Sequence, residues 1–394
     1  MIINDKRELV YIATITDIKP LEGYDRVELA TVNDGWKVIV NKEDNFKPND
    51  FCVYFEVDSK VPDTDERFAF LQKRKYKIKT IKMCKTISQG LVMPLSIFPE
   101  IGQDTAPGRP LTDLLHVKYS ADEDNIRKSN KPDSNAKYNS MCARHKELAK
   151  KSWWKWLMKR RCGRKLLFVF FGKKKDNPLG FPTHFPFIHK TDEERVENMP
   201  WVLGYKDPLI VTEKLDGTST TFILERKKKN KFEFYVLSRN IRQLKPEQTC
   251  FHDFNVYWEM AIKYDIEEKL KHWLELYPED TYVCIQGETV GNVQGNPLKL
   301  EENDFYAFNF ITSCRGRLDS ITAKKIANEM GIKWVPILEE EYYMPNDMEE
   351  FKLYADAKSV INSKVLREGI VLRDPKTNLS FKNVSRQYLL KKGE

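Results

Sequence analysis

The sequence predicts an α+β protein, with a small β-barrel at the amino end and a larger domain of antiparallel sheets and helices after it. Three observations predict this. Between residues 8 and 57, apolar and polar residues alternate in short runs separated by turn-rich stretches. Between 116 and 180 the composition becomes strongly basic, and from about 181 onward strand-like runs are interspersed with helix-like ones. At 394 residues the chain has room for two or three domains with a sizeable core.

The barrel is read from LVYIATIT, VELATV, WKVIV and FCVYFEV, with VNDG and FKPND as turns and QGLVMPLSIF at 89–98 as a further short strand. Several short strands at this spacing within about 100 residues suit a small barrel, and the OB-fold is the commonest one beside nucleic acid. Residues 1–115 are assigned to this OB-like, nucleic-acid-binding domain.

Residues 116–180 carry 18 Lys or Arg against 6 Asp or Glu, a local excess larger than the net charge of +8 on the whole chain. Positive charge gathered in one segment of an otherwise balanced protein is the footprint of polyanion binding. SADEDNIRKSNKPDSNAKYNS has no period and reads as a loop or linker. KELAKKSWWKWLMKRRCGRKLLFVFFGKKK interleaves Trp153, Trp154 and Trp156 with cations. It reads as a basic, aromatic helix followed by a strand that touches nucleic acid or packs between domains. A membrane-surface helix and plain core packing with a solvated basic face stay open as alternatives. The segment is assigned as a basic, aromatic-rich linker or insert.

Several classes are disfavoured. No apolar run approaches the roughly 20 residues that cross a bilayer, and MIINDKREL lacks the layout of a signal peptide. Seven scattered cysteines without a C-x-x-C suit a reducing compartment. Cys142, His145 and Cys162 lack a fourth ligand at zinc spacing. An intracellular protein with no membrane partner is expected.

Residues 181–394 are assigned to the mixed domain. Strands are expected at PLIVTEKL, TTFILER, FEFYVLSR, TYVCIQGET, DFYAFNFI, GIVLRD and LSFKNV, and helices near 251–276, 317–330 and 347–363. The run VTEKLDGTS at 211–219 sets a lysine at a strand end, two residues before an Asp-Gly turn. Alone it reads as a hairpin with a solvated lysine. Downstream, however, lie SRN at 238–240, QGETVG at 286–291, DFYAFNF at 304–310, EGIVLR at 368–373 and SFKNVS at 380–385, each at or beside a strand end. Such ends can converge on a cleft holding an amine nucleophile, carboxylates for a metal, a second cation for phosphoryl oxygens and an aromatic face for a base.

In order and spacing these motifs resemble the covalent nucleotidyltransferase superfamily of polynucleotide ligases and capping enzymes. They are most similar to ATP-dependent RNA ligases of the RNA ligase 2 group, in the Naegleria-type branch that has an N-terminal OB domain. FPTHFPFIHKTDEERVENMP at 181–200 is similar to the lead-in of that branch. The resemblance covers roughly 181–390 closely and 1–110 in outline, and it leaves the basic segment unexplained. It implies a nucleotidyltransferase (adenylation) domain using ATP and Mg²⁺ or Mn²⁺. Sealing of 3′-OH and 5′-phosphate RNA ends through a lysyl-AMP adduct and an adenylylated RNA 5′ end is implied too, with a monomer acting on nicked duplex RNA.

By matching motif, the resemblance makes Lys214 the nucleophile and sets Glu213 and nearby backbone against the adenine edge. Arg239 would contact a phosphate or the nucleic-acid 5′ end, and Glu288 the ribose or a metal-bound water. Phe308 would stack on adenine, Glu368 would serve the metal, Asp216 would engage a metal-bound water, and Lys382 would contact the α-phosphate. The family's last motif often reads K-x-K, whereas Val384 stands at the second place here; Ser385, Arg386 or Lys391 are candidate substitutes. The chain ends shortly after that motif, where DNA ligases and capping enzymes continue into a C-terminal OB domain, so the N-terminal barrel is expected to replace it.

On the residues alone, Phe308 also reads as strand core, Arg239 as a surface ion-pair partner, and Glu288 or Glu368 as structural carboxylates. A free lysine, with a pKa near about 10.4, must lose its proton before it attacks phosphorus. Burial and neighbouring positive charge favour that loss. A DNA ligase, a capping-type guanylyltransferase or a non-catalytic RNA-binding protein on the same fold are the alternative functions.

Overall fold

A computed structural model of the chain describes residues 1–3, 6–21, 24–83, 86–120, 148, 151–171, 181–182, 192–228, 231–238, 241–243, 255–377 and 379–392. Arg239, Cys142, His145 and residues 183–191 of the lead-in at 181–200 lie outside these residues. The chain divides into two compact units that follow the sheets rather than the order of the sequence. Met1–Asn130, Glu193–Lys214 and Ile337–Glu394 form one, and Lys131–Asp192 with Leu215–Pro336 form the other. No helix among the described residues is long and apolar enough to cross a membrane.

The first unit contains a five-stranded antiparallel sheet in the order Leu91–Pro94, Phe51–Phe55, Val10–Pro20, Val27–Val32 and Trp36–Asn41. The long strand Val10–Pro20 pairs with Phe51–Phe55 through its first half and with Val27–Val32 through its second, with a register shift between Ile15 and Asp17. A bulge of this kind bends a strand so that it serves both halves of a barrel. Along it, Val10 and Ile12 enter one core with Val53, Phe55 and Phe68, while Tyr11, Ala13 and Ile15 enter another with Trp36, Val38 and Tyr54. Both faces of the strand are buried, which is why LVYIATIT is almost continuously apolar.

The second sheet of this unit runs Glu194–Arg195, Ser380–Val384, Gly369–Arg373, Leu209–Lys214 and Ile337–Tyr342. One face, carrying Leu209, Val211, Ile370, Leu372 and Phe381, packs against Met348 and Phe351 of the helix Met348–Ala355. That helix, N-capped by Asp347, ends at Ala355, short of the expected 363. Beyond it the Ser359 hydroxyl accepts from the Ile361 amide and the Asn362 side chain from the Lys364 amide. These local bonds satisfy the backbone in a turn and compete with helix continuation.

The segment Arg195–Asn198 ties this sheet to the barrel. Asn198 Oδ1 accepts from Trp36 Nε1 at 2.7 Å and from the Tyr11 hydroxyl at 3.1 Å, while its Nδ2 donates to Glu56 at 2.9 Å and to Glu194 at 2.8 Å. Arg195 pairs with Asp58 at 3.2 Å. Gly35 approaches so closely that a Cβ there would lie 2.0 Å from the Glu197 carbonyl oxygen.

The second unit is built on a seven-stranded sheet ordered Phe181–Pro182, Ile241–Gln243, Lys231–Ser238, Thr218–Lys227, Tyr282–Val290, Asp304–Thr312 and Gly316–Arg317. Phe222 meets Phe305 edge-on at 5.0 Å, and Phe234 and Phe310 meet Trp258 and Trp273 of the helices Val256–Lys263 and Ile266–Leu276.

The stretch RCGRKLLFVFF, expected to end in a strand, is instead the helix Arg161–Phe171, preceded by the helix Ser152–Lys159. Leu167 and Phe171, four apart, both pack with Trp154, whose ring lies 5.1 Å from that of Phe171. Contacts at i and i+4 need the helical period, so pairing of two short helices overrides the strand propensity of LLFVFF.

Candidate active site

Alternation along Leu209–Lys214 sends Val211 into the core and Lys214 and Thr212 to the opposite face. Register then extends two rows across three strands: Lys214, Gly369 and Val384 in one, Thr212, Val371 and Lys382 in the next, all on that face. The two candidate lysines therefore share a sheet face although 168 positions separate them in sequence. Gly369 between them is a close-approach position, since a Cβ there would lie 2.3 Å from the Asn383 carbonyl oxygen.

Glu368, just before its strand, forms an ion pair with Lys214 Nζ at 2.6 Å, with 27% of the lysine side chain and 19% of the glutamate side chain exposed. Its second oxygen, Oε2, is buried without a hydrogen-bond partner. That oxygen can accept a hydrogen-bond donor or a cation.

Glu213, on the other face of the strand, is 2% exposed. Its Oε2 accepts from the Val360 amide at 2.8 Å and its Oε1 is buried without a partner. Burial pushes its carboxyl above the usual range, against the pull of Ser359, the Val360 amide and Arg367.

At the place of the second lysine of the last motif, Val384 is 4% exposed and its carbonyl accepts from Lys352 Nζ at 3.4 Å. Of the candidate substitutes, the Ser385 hydroxyl donates to Asp356 at 2.7 Å, Arg386 pairs with Glu349 at 2.7 Å, and Lys391 is exposed on the helix Arg386–Lys392. Arg373 is tied to Glu193 at 3.0 Å.

The other candidates belong to the second unit. Asp216 lies in the turn before Thr218–Lys227 and is half-buried. Ser219, Glu288 and Tyr306 form one row across three strands, and the next row on that face pairs Thr221, Gln286 and Asn309, with Asn309 Nδ2 donating to Gln286 Oε1 at 2.8 Å. Between those rows the register shifts: Gly287 pairs with Ala307 and Gln286 with Asn309, so Phe308 is the extra residue of a bulge. It is half-buried. Bulges re-aim side chains and are common beside active sites. Arg239 lies outside the described residues. Among the described residues, no group of three or more His, Cys, Asp or Glu side chains is placed to hold a metal ion.

Sequence reasoning missed Lys352, Glu197 and Asn198. Lys352 and Glu197 form an ion pair with side chains 3% and 2% exposed. The only trace in sequence is a polar stretch around Val196 within the lead-in, which has no period to mark it as buried.

Comparison with known proteins adds a family to this geometry. A family model described as an OB-fold domain matches residues 9–95, and one described as RNA ligase matches residues 207–391. The chain is similar to the solved structure of Naegleria gruberi RNA ligase with PPi, at 25% identity and a TM-score of 0.73, covering 99% of this chain and 100% of the other. Substituted forms of that ligase, one with ATP and Mn and one with AMP and Mn, match at 26% identity with TM-scores of 0.71 and 0.72. They cover 98% of this chain and 98% and 99% of theirs. No curated protein sequence matches the chain.

Proposed function

Residues 207–391 belong to the RNA ligase family and follow an OB-fold domain; from that premise we infer that this enzyme is an ATP-dependent RNA ligase that joins 3′-OH to 5′-phosphate ends at nicks in duplex RNA. The observation that carries the reading is Lys214 on a sheet face shared with Lys382 and paired at 2.6 Å to Glu368.

In the first step the neutral amine of Lys214 attacks the α-phosphorus of ATP. An N–P bond forms, the bond to the β-phosphate oxygen breaks, pyrophosphate leaves and the amine proton passes to solvent, giving lysyl-AMP. The RNA 5′-phosphate then takes the AMP from the lysine, and the 3′-OH displaces AMP to close the nick. Lys382 offers a cation to the α-phosphoryl oxygens through these steps. Glu213, through the buried oxygen that lacks a partner, accepts from the adenine edge. Phe308 stacks on the base, and Arg239 meets a phosphate or the RNA 5′ end.

The carboxylates suit a hard divalent cation. Mg²⁺ keeps several waters and needs one or two carboxylates plus substrate phosphates, so a ready-made three-ligand cluster is not required. Glu368, with its unpaired Oε2, would hold Mg²⁺ or Mn²⁺, and Asp216 and Glu288 are the further carboxylates proposed for the metal or its waters. When bound, the metal supplies positive charge beside the phosphoryl oxygens. Mn accompanies ATP in one of the similar Naegleria structures.

The test is sealing of a nicked RNA duplex beside a nicked DNA duplex of the same sequence, with ATP and GTP in parallel. ATP-dependent closure favouring RNA is expected. Closure favouring DNA, or labelling by GTP alone, overturns the reading.

A further inference from the structure

The basic hairpin of Ser152–Lys159 and Arg161–Phe171 is a feature that the ligation reading leaves unused. Residues 151–171 contain seven Lys or Arg and no Asp or Glu. Trp154, Leu157, Met158, Leu167 and Phe171 are spent on the contact between the two helices. Among the described side chains, the large rings left outside are Trp153, 44% exposed, and Trp156, 54% exposed. With Arg160 they fall at i, i+3 and i+7, on one face of the first helix and its C-cap. Arg160 lies over the Trp156 ring at 4.0 Å. Lys155, Lys159 and Lys165 are exposed around them.

From this arrangement we propose that the hairpin is an RNA-binding surface separate from the adenylylation residues, in which the cations track phosphates and Trp153 and Trp156 stack on unpaired bases. An interfacial membrane helix keeps its apolar face apart from its charges. Here Trp154, Leu157, Met158, Leu167 and Phe171 are used between the helices, the exposed Leu166 adjoins the exposed Lys165, and a guanidinium lies on a tryptophan face. Interleaved rings and cations match the alternating bases and phosphates of a single strand. The surface would grip the single-stranded flank of an RNA substrate. The proposal rests on RNA being the substrate, as in the ligase reading.

The test uses the full chain without ATP and two variants, one with Lys155, Lys159, Arg160 and Lys165 all changed to Gln, the other Trp153→Ala with Trp156→Ala. These side chains are solvent-facing, and unchanged melting would confirm folding. Binding to a single-stranded RNA oligonucleotide is measured across a salt series, beside binding to phosphatidylserine vesicles. The glutamine variant is expected to flatten the log–log salt slope by up to about 3, at 0.7–0.9 per phosphate. The alanine variant is expected to lose about tenfold in affinity per stacked base with its slope kept. Unchanged affinity and slope in both variants overturn the proposal. So does loss of vesicle binding with RNA binding intact, which assigns the surface to membrane. Lysyl-AMP formation is read separately: its failure in the unsubstituted chain counts against the ligase reading and leaves the RNA result standing.

Discussion

Replacing Lys352 by Met tests how the sheet that carries Lys214 is supported. Lys352 and Glu197 are almost fully buried and paired to each other, and Lys352 also donates to the carbonyl of Val384, in the row of Lys214. Burial pushes the Glu197 carboxyl up, but Lys352 and Arg195 outweigh it and hold it below the usual range. Lys352→Met therefore strands a buried carboxylate and should cost about 3–5 kcal/mol. Lys352→Met with Glu197→Leu removes both charges and should recover most of that loss, since apolar replacement of a buried pair is often neutral or stabilising. The pH dependence has a definite sign. Because the folded pKa of Glu197 is depressed, its contribution is present above the ordinary glutamate range and disappears as pH falls through the folded value. In Lys352→Met the loss of stability should begin at higher pH. Urea unfolding followed by circular dichroism between pH 4 and 8 reads all three proteins. A single substitution within about 1 kcal/mol of wild type, or a double variant weaker than the single, would refute the reasoning.

Asn198→Ala should destabilise the first unit by about 2–4 kcal/mol, because buried Trp36, Tyr11 and Glu56 each lose a partner; thermal melting checks it. Glu213→Gln should leave stability at neutral pH equal or higher, since glutamine can keep the Val360 bond without the buried charge. The raised Glu213 pKa stabilises the fold below the ordinary glutamate range and loses that effect as pH rises through the folded value, so the advantage of the Gln variant should grow with pH. Phe308→Ala should weaken ATP use by about 1–3 kcal/mol with little change in melting; a lowered melting temperature with unchanged nucleotide affinity would assign the ring to the core. Glu368→Gln should cut lysyl-AMP formation by about 10²–10³ if the carboxylate serves the metal, a magnitude typical of one lost electrostatic contact; labelling rates measure it.

Much of the fold was legible because local patterning and tertiary structure agree. The barrel strands are apolar where both faces are buried, and the mixed domain shows alternation wherever a sheet has one core face. LLFVFF misled because strand propensity is a weak constraint against a helical partner surface such as Trp154. In the candidate site, Lys214 was visible as a charged residue at the end of an apolar strand, whereas Glu288, Phe308 and Lys382 lie within their strands. What sequence could not supply was register: that Lys382 shares the face of Lys214, that Glu368 pairs with Lys214 at 2.6 Å, and that Phe308 occupies a bulge. The Lys352–Glu197 pair and the Asn198 junction were illegible for a related reason, since buried polar groups leave no period and their partners lie 142 to 187 positions away.

Incubation of the full chain with α-labelled ATP and Mg²⁺, followed by a denaturing gel and peptide mapping, decides whether Lys214 is the proposed nucleophile. Covalent label is expected on the peptide containing Lys214, none in Lys214→Ala, and none in Lys214→Arg, whose guanidinium stays protonated. Label on another residue, or wild-type labelling of the alanine variant, would contradict that role.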